Sequence, residues 1–115
     1  MSNISELTLT KIVNGIKKKD FTSEEVTNSF IKNSQKSKKL NSYITECFDH
    51  ALNSAKSFDK KKDFKGLLSG VPLAVKDLFC TKNVKTTAGS KILHNFIPTY
   101  ESTVTNNYGL KVLFY

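Results

Sequence analysis

Lys76 stands at the end of an apolar, β-prone run, Val71 to Val75, and is followed at once by Asp77. A lysine in that place can do chemistry only if its ammonium gives up a proton. Burial can bring that about, by pulling the group below its reference pKa of roughly 10.4 and leaving a general base or a nucleophile. The same placement has an ordinary explanation, an ammonium paired with Asp77 or lying at the surface, because burying an unpaired charge is costly. Both readings stay open on the residues alone. The other reactive side chains are scattered. Ser90 and Ser102 are the only serines after Lys76, and the cysteines Cys47 and Cys80 share no Cys-x-x-Cys spacing. His50 and His94 are isolated, so neither a metal site nor a disulfide framework is expected.

The run that carries Lys76 must be held by neighbours. Gly70 opens it and Pro72 lies near its start, where a residue without an N–H is tolerated; the segment therefore reads as a buried strand. Upstream, Leu9, Ile12, Val13 and Ile16 follow the spacing of one helix face behind Thr8 as N-cap, with Gly15 a slight weakness. Met1 to Ser5 is expected to fray. Thr22-Ser23-Glu24-Glu25 has the form of a capping box and starts a second helix, with Val26, Phe30 and Ile31 on its apolar side. It runs out between Ser34 and Lys39. Tyr43-Ile44-Thr45 predicts a short strand, and Phe48, Ala51, Leu52, Ala55 and Phe58 predict a third helix. Asp59 to Lys65 reads as a charged, solvated linker. Thr81 to Gly89 reads as a loop or irregular strand, and Pro98 precedes a fourth helix over Glu101 to Asn107.

The chain has 115 residues, 38% of them hydrophobic, which suits one globular domain with a modest core. No apolar stretch nears the roughly 20 residues that cross a bilayer, and no signal-peptide core is present at the N-terminus; a cytoplasmic chain without a membrane partner is expected. The formal net charge is +8, yet all 18 basic residues are lysines and none is arginine. Base readout and bidentate phosphate clamping lean on arginine, so DNA is not an expected partner. The abundant Lys and Asn fit the coding bias of an AT-rich genome.

Gly70-Val71-Pro72-Leu73-Ala74-Val75-Lys76-Asp77 resembles the Gly-(Ile/Val)-Pro-x-x-(Ile/Val)-Lys-Asp segment of the amidase signature family. Cys80-Thr81-Lys82, Thr86-Thr87 and Ser90-Lys91-Ile92-Leu93 continue the likeness, which extends from about Leu7 to Thr105. Within the family it is tightest to the glutamine-hydrolysing A subunits of aspartyl/glutamyl-tRNA amidotransferases. The resemblance implies an α/β fold in which residues 1–107 supply the leading helices and first strands of a truncated mixed sheet. It makes Lys76 the catalytic base of a Ser-Ser-Lys triad, a Ser-Lys variant of triad logic. It implies B and C subunits plus aminoacyl-tRNA as partners. ATP and magnesium would be used by a partner subunit, while this chain binds no cofactor. The family's serines lie in a Gly-Gly-Ser-Ser-Gly-type stretch. Here Gly15, Gly66, Gly70, Gly89 and Gly109 are all isolated, so both serines and the oxyanion loop are missing and the chain alone is expected to be inactive.

The tail, residues 108–115, departs from the family. Restoring a single nucleotide ahead of it, with suitably chosen codons, turns it into Leu-Trp-Leu-Lys-Gly-Ala-Val-Leu, close to the family's helix end and next strand. A frameshift is therefore the expected origin of these residues. Two other function classes fit the residues less closely: a fragment of another amidase, and a small lysine-rich RNA-binding or interaction module. The latter would interleave exposed aromatics on its strands, a pattern missing here.

Overall fold

The computed structural model describes residues 3–107 and, for the backbone only, residues 113–114. Helix α1 spans Leu9–Lys18, with the Thr8 hydroxyl accepting from the Lys11 N–H at 3.4 Å. Ile12 and Ile16 are buried in the expected stripe, but Leu9, counted on that face, is 51% exposed. The first turn of α1 lies outside the core. Gly15 is more than a weak point. A Cβ there would overlap the Phe21 ring, so the missing side chain lets the segment after α1 fold back against it. Lys19, at φ 65°, closes the helix and makes that reversal.

Helix α2, Ser23–Lys36, begins with the expected capping box: Thr22 Oγ1 accepts from the Glu25 N–H, and the Glu25 carboxylate accepts from the Thr22 N–H. Helix α3 runs Phe48–Lys61, so Asp59, Lys60 and Lys61 belong to a helix rather than to a linker. Asp59 has a definite task. Its two carboxylate oxygens accept from the Ser23 and Glu24 N–H groups, each at 2.9 Å. These are amides that a helix N-terminus leaves without partners, and a carboxylate there also meets the positive end of the dipole. Replacing Asp59 by alanine is expected to lower stability by about 2 kcal/mol, the scale of charged hydrogen bonds to an N-terminus. Asp63→Ala, which removes only exposed contacts with Lys65, should leave the denaturation midpoint in place. Equal midpoints for the two variants would contradict this role.

The main core joins the helices to the start of the family segment: Ile12, Ile16, Val26, Phe58 and Val71 are buried together. A second cluster unites Ile31 of α2 with Ala51 and Ala55 of α3. The N-terminal residues are not frayed from Asn3 onward, because a 3-10 turn over Ile4–Glu6 is capped by Asn3 and Ile4 and Leu7 rest on the main core. Met1 and Ser2 lie outside the described residues.

The sheet is much smaller than expected. The strand predicted over Val71 to Val75 is reduced to β1, Leu73–Ala74, paired in parallel with β2, Leu113–Phe114 (Leu73 beside Leu113, Ala74 beside Phe114). Gly70 at φ 80° and Pro72 without an N–H interrupt one end of the run. At the other end the Lys76 carbonyl accepts from the N–H groups of Leu78 and Phe79, which turns the chain away. Tyr43 to Thr45 forms no strand at all. Its β-propensity has no neighbouring strand to act on, and that propensity depends on such context. The remainder of the tail reading falls outside the described residues. Helix α4 covers Thr103–Asn107, slightly shorter at its start than predicted.

Candidate active site

Lys76 leaves β1 next to the main core. Gly70 fixes the approach: its carbonyl accepts from the Ser23 hydroxyl at 2.5 Å, and Val71 is buried directly after it. From there the chain alternates outward, and Lys76 is exposed. Asp77 does not pair with it. The Asp77 carboxylate accepts from the Thr87 N–H at 2.7 Å and from the Thr87 hydroxyl, while the Asp77 carbonyl accepts from the Ala88 N–H at 2.6 Å. The ion pairs of the described residues join Lys38 to Glu46, Lys56 to Glu24 and Lys65 to Asp63. Of the two forms of the ordinary explanation for Lys76, the surface position holds and the pairing with Asp77 does not. The desolvated environment that a catalytic lysine requires is not supplied by the described residues.

Asp77 is instead the anchor of a hydrogen-bonded unit that follows Lys76. Thr81, Thr86 and Thr87 are buried within it. A tight turn links Thr81 and Val84 by a single antiparallel bridge, as the loop prediction allowed. Further bonds tie this turn to the later segment: Asn83 N–H to the Pro98 carbonyl, Thr86 N–H to the Phe96 carbonyl, Lys82 N–H to the Glu101 carboxylate and Ser102 N–H to the Cys80 carbonyl. The threonines of the family-like motif thus hold backbone in place. Sequence reasoning quoted Thr86-Thr87 as part of a pattern and missed the role of Thr87. The signal was there in the polar character of residues too apolar in setting to be solvated.

Both serines that follow Lys76 make local hydrogen bonds. The Ser102 hydroxyl lies 2.7 Å from that of Thr105 and accepts from the Thr105 N–H, capping the start of α4. The Ser90 hydroxyl accepts from the Ile92 N–H at 3.2 Å. His94 Nδ1 faces the Lys91 carbonyl, a local contact. Cys80 Sγ lies 3.4 Å from the Tyr100 hydroxyl, and that hydrogen bond pushes the phenol above its ordinary pKa. Cys47 is half-buried; burial raises its thiol pKa, and the Lys85 ammonium offsets part of the rise. Both cysteines are free, consistent with small apolar residues. A groove of about 400 Å³ lies between the end of α2 and the loop after it, lined by Phe30, Asn33, Tyr43, Ile44 and Glu46 among others. It includes Lys38 but not Lys76.

Among the described residues the arrangement is an exposed lysine just past β1, beside a hydrogen-bonded unit anchored by Asp77. Comparisons with known proteins place that arrangement. A sequence profile of the family described as Amidase matches residues 25–110. The A subunit of the glutamyl-tRNA(Gln) amidotransferase of Pelagibacter ubique (strain HTCC1062) is 64% identical over 107 residues, covering 93% of this chain and 22% of that protein. Its namesake from Rickettsia bellii (strain OSU 85-389) is 48% identical over 109 residues, again with 22% of its length covered. The chain therefore spans about a fifth of the length of the curated relatives it matches. Among solved structures, an inhibitor-bound complex described as revealing the evolutionary origins of an s-triazine catabolic enzyme superposes with a TM-score of 0.80 at 26% identity. That match covers 94% of this chain and 25% of the other. Fatty acid amide hydrolase gives a TM-score of 0.83 over 96% of this chain and 21% of its own, a likeness of fold at 24% identity. Profile, sequence relatives and fold agree, and the chain belongs to the Amidase family.

Proposed function

We propose that this chain is the N-terminal part of the glutamine-hydrolysing A subunit of a glutamyl-tRNA(Gln) amidotransferase, with Lys76 as its catalytic base. The observation that carries the reading is the 64% identity to the Pelagibacter relative across nearly the whole chain. In the intact enzyme Lys76 would take a proton through a bridging serine, and a second serine would attack the amide carbon of glutamine. Backbone N–H groups would meet the oxyanion. Both serines and the strands that complete the mixed sheet belong to the length outside this match. The released ammonia would be used, with ATP and magnesium on a partner subunit, to amidate Glu-tRNA or Asp-tRNA in the cytoplasm; B and C subunits plus aminoacyl-tRNA are the partners of that assembly. The 115-residue chain alone would release no ammonia. The reading includes residues 108–115 as a frameshifted tail after an amidase part of residues 1–107, which sequencing of the locus tests.

A chimera tests the main claim. Residues 1–107 of this chain replace the matched residues of the Pelagibacter relative, within its complex. Ammonia release from glutamine is expected, with Lys76→Ala lowering it by about 10² to 10⁴, the range of a general base. A folded chimera without glutaminase activity, or one indifferent to Lys76→Ala, refutes the reading.

A further inference from the structure

We propose that the C-terminal ends of α1 and α3 together form a binding site for RNA, with lysines on the phosphate backbone and Phe64 under one unpaired base. The inference rests on the function proposed above only for the choice of RNA, a tRNA. The site itself is built from side chains that the function above does not use.

Three observations carry it. The first is convergence. Lys17, Lys18 and Lys19 end α1, while Lys60, Lys61 and Lys62 end α3, so the two groups lie far apart in sequence. The fold joins them, because Lys19 and Lys62 line one cavity of about 150 Å³. Each of these two is the left-handed residue that closes its helix, at φ 65° and 51°. A lysine or two in a last turn is accounted for by the helix dipole. Six lysines at two ends that share a cavity exceed that need, and they make this pole of the molecule positive.

The second observation is that the charge is not neutralised. All six lysines are exposed, and none of them joins the ion pairs of the described residues. Asp59 is occupied by the Ser23 and Glu24 N–H groups, and Asp63 by Lys65. Asp20, next to Lys19 in the chain, offsets one charge.

The third observation selects RNA among polyanions. Phe64 lines the same cavity, is 38% exposed, and meets the Phe58 ring edge-on with centroids 5.3 Å apart. An aromatic ring fixed among lysines is a stacking platform for an unpaired base, and lysine meets phosphate as a point charge without reading sequence. An anionic membrane surface would need several apolar side chains to insert beside the lysines. Of the apolar residues lining the cavity, only Phe64 is exposed.

The test measures the full 115-residue chain against a fluorescently labelled tRNA by anisotropy, with helical circular dichroism confirming the fold of each variant. Binding is expected, and it should weaken as salt rises, as phosphate contacts require. Lys19→Asn with Lys62→Asn should weaken it at least about tenfold and lower the salt slope by about two contacts. Asparagine tolerates the left-handed conformation, so both caps survive the change. The control removes the same charge with Lys36→Gln and Lys39→Gln. Thr22, the N-cap of α2, lines the cavity, so these two lie a 14-residue helix away, about 20 Å. Beyond the screening length, their loss should weaken binding less than about threefold. Phe64→Leu keeps an apolar contact with Phe58 and should weaken binding at least about fivefold, the loss of one stacked base. No binding by the parent, equal losses from the two lysine pairs, unchanged binding in Phe64→Leu, or tighter binding to phosphatidylserine vesicles than to tRNA overturns the inference. None of these readouts involves ammonia release, so an inactive chimera would refute the function above and leave this site standing.

Discussion

Replacing Gly70 by alanine is expected to cost about 2 to 4 kcal/mol of stability, from two independent contributions. The residue adopts φ 80°, a conformation that costs a side-chain-bearing residue about 1 kcal/mol relative to glycine. An added Cβ would also overlap the Phe58 ring, standing 2.7 Å from Cδ1 and 2.9 Å from Cζ, with Cε1 closer still. That ring is buried in the main core, and overpacking of this kind costs typically about 1–3 kcal/mol. Relief by backbone movement is blocked, since the Gly70 carbonyl is bound by Ser23 and Val71 is anchored in the same core. A loss of this size is a large part of the roughly 5–15 kcal/mol that typically holds a domain together. Denaturant unfolding of the two forms measures it. Shortening the ring with Phe58→Leu in the Gly70→Ala background should recover part of the loss, because the two sites share the clash and are not additive. A change below about 1 kcal/mol would show that the loop yields more readily than its contacts imply.

The second large effect is expected at Asp77. Asp77→Ala removes both carboxylate acceptors of Thr87, whose residue is only 6% exposed, and leaves its N–H and its hydroxyl proton without acceptors. A buried donor left unsatisfied costs about 1–3 kcal/mol, so roughly 3 kcal/mol is expected for the pair. The damage should be local first. Amide hydrogen exchange at Thr87 and Gly89 should accelerate well before the helices are affected, because the Gly89 N–H rests on the Thr87 hydroxyl. Asp77→Asn keeps one oxygen acceptor and should fall between the two. Lys76→Ala, at an exposed position, should stay within about 0.5 kcal/mol of the parent. This contrast separates the two halves of the Lys-Asp dipeptide: the aspartate supports the backbone, and the exposed lysine does not. Unchanged exchange in Asp77→Ala would remove the clamp from the account.

The helices were legible because their causes are local. A capping box acts between residues three apart, and an apolar stripe repeats within a turn or two; Thr22 with Glu25, and Ala51 with Ala55 and Phe58, can be read without knowing what lies opposite. The expectation for Lys76 came from a motif, and the chain's membership of the Amidase family agrees with the resemblance on which it rested. Illegible were the roles that depend on a distant partner. Asp59 looks like the start of a charged linker until α3 brings it 2.9 Å from amides that lie 36 and 35 residues earlier. Gly15 looks like a flaw until Phe21 occupies the space above it.

The amino-acid order alone thus determined three amphipathic helices, the N-caps of the first two and the placing of Lys76 after an apolar run. Tertiary structure decided what the run becomes. A strand exists only through the ladder it shares, and here the neighbours limit that ladder to Leu73–Ala74. It also decided the setting of Lys76, because Asp77 is drawn to Thr87 rather than to the lysine beside it. Capping and periodicity act over a few residues and are written into the chain, whereas pairing, desolvation and side-chain partnership depend on which distant segments arrive.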